Sequence, residues 1–186
     1  MTVPNYRWSA GEFVRAWEAG AFHSRVELVE GEVWPVVIGD WHGDVVGNVM
    51  GLLRQVDIKA TASTLPSGDS LPDPDCWVRR PGAEPVGTVG TVGTKLSVWS
   101  PQDVLLVIEV SDETLMADLT TKARIYGTAG WPVYWVVSPE AVYVHSEPHA
   151  DGYGLRREYR AGDQLPVTFA DAEIAVDDLI GSAGAS

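Results

Sequence analysis

The sequence is short of three things, and each shortage excludes something. It has a single cysteine, Cys76, so no disulfide can form within the chain, and this usage fits a reducing, cytoplasmic setting. It has no long apolar run. The opening MTVPNYRWSAGEF lacks the hydrophobic stretch of a signal peptide, and nowhere do the ~18–20 apolar residues of a membrane span occur in succession. It is also poor in positive charge, with 13 Lys and Arg against 26 Asp and Glu and a net charge of −13. Proteins that hold nucleic acid by neutralising phosphates normally show a basic face. Basic residues could still gather locally, as Arg156, Arg157 and Arg160 do in sequence. The acidic balance nonetheless suits solubility and metal binding better than tight, nonspecific DNA binding.

What is present reads as one globular domain over 1–180. A chain of 186 residues with 45% hydrophobic content can bury a real core, and no composition break divides it. The tail GSAGAS at 181–186 reads as disordered. Eight tryptophans call for core positions or a subunit interface.

Local signals place most of the elements. Ser9 followed by Glu12 is a capping box, opening a short helix through Phe13, Val14 and Trp17 that ends near Gly20. RVELVEGEVWPVVI is two β-prone runs hinged at Glu30 and Gly31, a hairpin. Asp40 is placed to cap a longer helix whose apolar residues Val45, Val46, Val49, Leu52, Leu53 and Val56 recur at helical spacing. Strands follow around 60–65 and 74–79. The segment 81–95, with three tandem Val-Gly-Thr units, reads as a mobile loop or a loose hairpin and carries no chemistry. VLLVIEV at 104–110 is apolar on both faces, as a central strand must be. A helix over 115–128 and strands at 133–137 and 141–145, joined by Ser138-Pro139-Glu140, come next. Weaker strands lie near 153–159 and 165–169, and a last helical turn at 177–180.

Three charged residues then stand where patterning puts the core, and burying a charge is costly unless it is paired or coordinated. Glu109 sits near the end of the doubly apolar strand, on the face of Leu105 and Val107. Lys122 falls in the stripe Leu115, Leu119, Lys122 and Tyr126 of the following helix. Asp75 lies at a strand entrance fixed by Pro74, with Asp73 on the same side. Each alone has a bland explanation. A strand-end glutamate bonds backbone amides or an arginine, a lysine on an apolar stripe snorkels to solvent, and Asp-Pro-Asp is a turn. Together, one base and two acids misplaced in the same core favour a shared site.

These residues, in this order, resemble the PD-(D/E)xK nuclease superfamily and, within it, the bacterial Uma family of restriction-endonuclease-like proteins. RVELVEGEV resembles the family's opening segment, His42 the histidine that opens its first long helix, and PDCWV its Pro-Asp motif with Asp75. Glu109, Ser111, Thr114, Asp118, Lys122, Tyr126, Gly130, Tyr134 and Trp135 occupy its signature positions. Two departures are visible. The superfamily's usual E-x-K lysine falls on Ser111, the lysine being relocated to Lys122, and the family's aspartate after the Tyr-Trp strand is Ser138.

The resemblance implies an α/β fold of α+β character, a restriction-endonuclease-like core with a central mixed sheet flanked by helices. It implies Mg²⁺ or Mn²⁺ held by Asp75, Glu109 and the carbonyl of Val110, hard cations preferring oxygen ligands. Lys122 would then orient the attacking water, and Glu27 is a fourth candidate for the site, its bland alternative being an exposed hairpin charge like Glu30 and Glu32. His42 ranks below it. Asp118, four residues before Lys122, can pair with that lysine along the helix. His145 and His149 have no third ligand at zinc-like spacing, and a zinc site is dismissed. A homodimer and a DNA substrate are further implications. Two functions follow: a metal-dependent endonuclease cutting DNA phosphodiester bonds, favoured by the intact Asp-Glu-Lys set, or a catalytically inactive nuclease fold used for binding or assembly, favoured by the acidic balance.

Overall fold

The computed structural model describes residues 6–90 and 94–181. The first helix, α1 (Ala10–Glu18), carries the expected capping box, with the Glu12 amide donating to Ser9 Oγ at 3.3 Å and the Ser9 amide to Glu12 Oε2 at 2.9 Å. Strands β1 (Val26–Val29) and β2 (Glu32–Pro35) form the hairpin. Its turn holds Glu30 at φ 50° and Gly31 at φ 81°, the paired left-handed residues that match the twist of the flanking strands. Gly31 is required twice over, because a Cβ there would lie 2.9 Å from the Arg7 Cβ.

Helix α2 (Asp40–Gln55) buries Val45, Val49 and Leu53 along one stripe. Its start differs from expectation: Gly39 is the N-cap, no side chain caps the helix, and Asp40 is the first helical residue. An acid in the first turn still meets the positive end of the helix dipole. Strands β3 (Ala60–Thr61) and β4 (Cys76–Arg79) are shorter than the sequence suggests. The chain between them leaves the sheet, where Leu71 and Leu28 exchange backbone hydrogen bonds of 2.8 and 3.2 Å that tie this loop to β1.

The Val-Gly-Thr segment forms a hairpin, β5 (Gly87–Gly90) with β6 (Lys95–Val98); its units at 91–93 lie outside the described residues. It is anchored where Val89 and Leu96 pack with Phe13 and Val14 of α1. Strand β7 (Val104–Val110) then runs to the centre of the molecule. A continuous helical passage follows, α3 (Leu115–Ala117), a π-helical turn Asp118–Lys122 and α4 (Ala123–Thr128), and it delivers the chain to β8 (Val133–Val137). The remaining elements are β9 (Val142–His149), β10 (Gly152–Tyr159), β11 (Gln164–Val167), β12 (Ala172–Ala175) and α5 (Val176–Ile180). Strand β12 has no strong sequence signal of its own, and it exists as the antiparallel partner of β11. Of the tail, residues 182–186 lie outside the described residues.

The central sheet has six strands in the order β10-β9-β8-β7-β4-β3. Only β7 and β8 are parallel, and the helical passage between them is the crossover such a pair needs. This is the mixed sheet flanked by helices that a restriction-endonuclease-like core requires. One face, with Leu106, Ile108, Val110 and Trp135, packs with Val45, Val49 and Leu53 of α2 and Leu179 of α5. The other, with Trp77, Val107, Tyr134 and Val136, packs under Ala123 and Tyr126 of α4. Leu105 corrects the simple alternation. The register between β4 and β7 shifts so that Val78 faces Leu106 and Arg79 faces Val104. Leu105 is therefore the extra residue of a bulge and joins the face of Leu106. The crossover helix lies hard against β10, where a Cβ on Gly127 would fall 2.2 Å from the Gly152 carbonyl oxygen.

Candidate active site

Two strand ends create the site. The register pair Cys76↔Ile108 sets Asp75, one residue further on, against the end of β7. There the Val110 amide donates to Asp75 Oδ2 at 2.7 Å, and His42 Nε2, from the first turn of α2, lies 2.7 Å from Oδ1. Glu109 points to the opposite face from Ile108 and Val110, towards the crossover helix. In the π-helical turn that follows, Asp118 and Lys122, four residues apart, face inward together, and both are buried.

The Lys122 ammonium sits among three carboxylates: Glu109 Oε1 at 2.9 Å, Glu27 Oε1 at 3.0 Å and Asp118 Oδ1 at 3.7 Å. One turn further along, the Tyr126 hydroxyl donates to the same Glu109 oxygen at 2.7 Å. Each acid is also secured from behind. Glu27 Oε2 accepts the Asp73 amide at 3.0 Å. Asp118 Oδ2 accepts the Thr114 hydroxyl at 2.7 Å, and the Asp118 carbonyl accepts Tyr134. Glu27, Glu109, Asp118 and Lys122 are all buried, none more than 7% exposed.

Burial on this scale sets up a charge imbalance. Burial raises the Glu109 carboxyl well above its usual range; Lys122 opposes this, while Asp118, Asp75 and Glu27 add to it. For Lys122, burial alone would lower the pKa, but the fields of Glu109, Glu27 and Asp118 and the hydrogen bond to Glu109 outweigh it and hold the amine charged. Burial raises the Tyr126 phenol well above its range too, with the field of Glu109 next, so it stays a donor. One ammonium faces three buried acids, with Asp75 adjoining, and an added cation would offset the excess. Among the described residues no three His, Cys, Asp or Glu side chains group as a metal cage on their own. A centre made of two carboxylates and a backbone carbonyl would not produce such a group.

The chain matches the family model Uma2, described as putative restriction endonuclease, over residues 12–177. It belongs to the Uma2 family. No curated protein matches it. No helix among the described residues is long and apolar enough to cross a membrane.

Every residue of the Uma2 signature singled out in the sequence lies within the matched span. Lys122 contacts Glu109 and Glu27 directly, so Glu27 is not the exposed hairpin charge that its neighbours Glu30 and Glu32 resemble. Asp118 pairs with Lys122 across four residues of the helical passage, as their spacing implied. Asp75 does not touch the lysine and is joined to the cluster through the Val110 amide next to Glu109. Asp73, read as a plain turn residue, instead supports Glu27 through its amide. His145 stacks on Tyr134 with ring centroids 5.4 Å apart, a packing role. Ser138 closes its turn by donating to the Ala141 carbonyl at 3.0 Å, so the loss of an aspartate at this Uma2 position falls on a turn. Two contacts escaped the sequence reading. Tyr126 was a signature position on the Lys122 stripe, but nothing in the sequence joined it to Glu109. Arg25 opened the RVELVEGEV segment, but nothing there joined its Nε to the Asp73 carboxylate, 2.6 Å away.

Proposed function

We propose that this Uma2 protein is a divalent-metal-dependent endonuclease that hydrolyses DNA phosphodiester bonds. The observation that carries this reading is the convergence of Lys122 on Glu109 and Glu27 inside the protein, one residue from the buttressed carboxylate of Asp75. A scaffold with no chemistry gains little from burying one base among three acids, since such groups cost desolvation that apolar residues would not. The oxygen-rich set and its excess negative charge suit Mg²⁺ or Mn²⁺, held by Asp75, Glu109 and the Val110 carbonyl. Bound there, the ion would lower the pKa of a water and neutralise charge at the scissile phosphate.

The chain's own groups have distinct parts. Lys122, fixed from two sides by Glu109 and Glu27, orients the attacking water and offers positive charge where the phosphate gains negative charge in the transition state. Tyr126 fixes one Glu109 oxygen, leaving the other for the ion. His42 and the Val110 amide aim Asp75 in the same way. Assembly as a homodimer belongs to this reading and is checked by light scattering of the purified chain.

A second reading has one observation on its side. Lys122 is already fully paired, so its ammonium can serve as the resident cation of a fold kept for binding. Supercoiled plasmid and single-stranded DNA, incubated with Mg²⁺, Mn²⁺ or EDTA, separate the two when Glu109→Gln is run beside the native chain. The enzyme reading expects cleavage with either metal, none in EDTA and none by the variant. Cleavage by neither protein under any condition would leave the binding module.

A further inference from the structure

We propose that a cavity of about 220 Å³ beside the acid cluster is a subsite for one nucleotide of single-stranded DNA, with Trp17 taking the base and Arg25 the phosphate. This rests on the DNA part of the reading above and names the form of the substrate. Phe13, Trp17, Arg25, Thr64, Asp73 and Leu96 line the cavity.

Asp73 is the wall shared with the candidate active site. Its side chain accepts Arg25 Nε at 2.6 Å and Thr64 Oγ1 at 3.3 Å, while its amide holds Glu27 at 3.0 Å. Arg25 is thus three links from Lys122, through Asp73 and Glu27. It is the cation placed to meet a phosphate in the cavity. Its side chain is 44% exposed, against 9% for Lys122. Among the described hydrogen bonds it uses only Nε, so both Nη groups remain for a ligand. The hydrogen bond to Asp73, and beyond it the fields of Asp73, Asp75 and Glu109, keep the guanidinium charged.

Trp17 completes the subsite. It stays 44% exposed although Phe13 and Val14 of the same helix are buried, so its indole is available at the cavity wall without unfolding anything. An aromatic face next to a guanidinium is the pairing by which proteins hold unpaired strands, since every base has a face to stack. The size excludes a duplex. At roughly 30 Å³ per water the cavity holds about seven waters, enough for one flat ring, whereas duplex bases already stack on each other and cannot enter. One cation and one stacking ring also suit a chain of net charge −13, which cannot wrap a duplex electrostatically.

The test reads binding without cleavage, by fluorescence anisotropy of a labelled oligothymidine of about 12 nucleotides, inside the site sizes of single-strand binders, with EDTA present. The native chain should bind it more tightly than the same length of duplex. Trp17→Ala should weaken binding about tenfold and Trp17→Phe should recover most of that. Arg25→Ala should weaken binding and lower the salt slope by about 0.7, one single-strand phosphate. Asp73→Asn, which frees Arg25 from its partner, should leave binding unchanged or tighten it. Native-strength binding by Trp17→Ala and Arg25→Ala would overturn the subsite, as would equal losses in Arg25→Ala and Asp73→Asn, a preference for duplex, or no binding by the native chain. The expected binding pattern without any metal-dependent cleavage would keep the subsite and remove the nuclease. Cleavage with unchanged binding in both variants would do the reverse.

Discussion

Lys122 Nζ lies 3.0 Å from Glu27 Oε1, so a helix from the middle of the chain is joined to the first hairpin by a buried ion pair. The same ammonium bonds Glu109, so one side chain ties the hairpin, the central sheet and the crossover helix together. Removing one member of a buried charged set leaves the others uncompensated, typically at about 3–5 kcal/mol. Lys122→Ala should therefore lose stability on that scale in urea denaturation, because three acids remain. Glu27→Gln, which leaves the lysine two carboxylates, should cost clearly less. Equal losses would show that the lysine does not hold the cluster together.

Asp75 offers a separate prediction about metal. Its two oxygens are aimed by the Val110 amide and by His42. Partners that hold a ligating carboxylate commonly set affinity by about 10- to 100-fold. His42→Ala should weaken Mn²⁺ binding within that range, read by the electron paramagnetic resonance of free Mn²⁺, with little change in the melting temperature of the metal-free protein. His42→Gln, whose amide can still donate to the carboxylate, should recover most of the affinity. Unchanged Mn²⁺ binding by the alanine variant would separate His42 from the metal.

How much of this was legible follows from the range over which each signal acts. The Ser9–Glu12 box and the Glu30–Gly31 turn are local, and they stand where the sequence puts them. Glu109 and Lys122 were legible as charges inside apolar patterns, a mismatch that needs no knowledge of their partners. The failures involve neighbours remote in sequence. Leu105 left its expected face because β4 and β7 shift register. β12 has no apolar run and forms only because β11 lies beside it. Tyr126 looks like an ordinary core aromatic until the glutamate that accepts its hydrogen bond, 17 residues away in sequence, is placed beside it.

Two glycine substitutions should have opposite effects. A Cβ on Gly127 would lie 2.2 Å from the Gly152 carbonyl oxygen, backbone against backbone, with no flexible group to give way. Gly127→Ala must push α4 off β10 and should cost several kcal/mol, the scale of overpacking at its upper end. Gly51 is a helical residue of α2, and a Cβ added there would meet nothing within 4 Å. Gly51→Ala should stabilise the protein by roughly 0.5–1 kcal/mol through helix propensity alone. Thermal and urea unfolding of the pair measure both signs, and a neutral Gly127→Ala would show that the crossover helix is not seated on β10.

His145 gives the fold an acid sensitivity distinct from that of the candidate site. It is buried, stacked on Tyr134, and its Nδ1 has no hydrogen-bond partner among the described residues. Burial lowers its pKa from 6.5 to about 4, and the nearby charge of Arg156 acts in the same direction. Above pH 6.5 the ring is neutral folded or unfolded, and the fold loses nothing. As pH falls from 6.5 towards 4, the unfolded chain takes up a proton that the folded ring refuses, so stability drops. The ceiling for one such proton is about 1.4 kcal/mol per pH unit. His145→Phe keeps an aromatic ring against Tyr134 and removes the titration. Its stability measured between pH 7 and 4 should therefore fall less steeply than that of the native chain, by up to that slope. Parallel curves would place the acid sensitivity in the carboxylates instead.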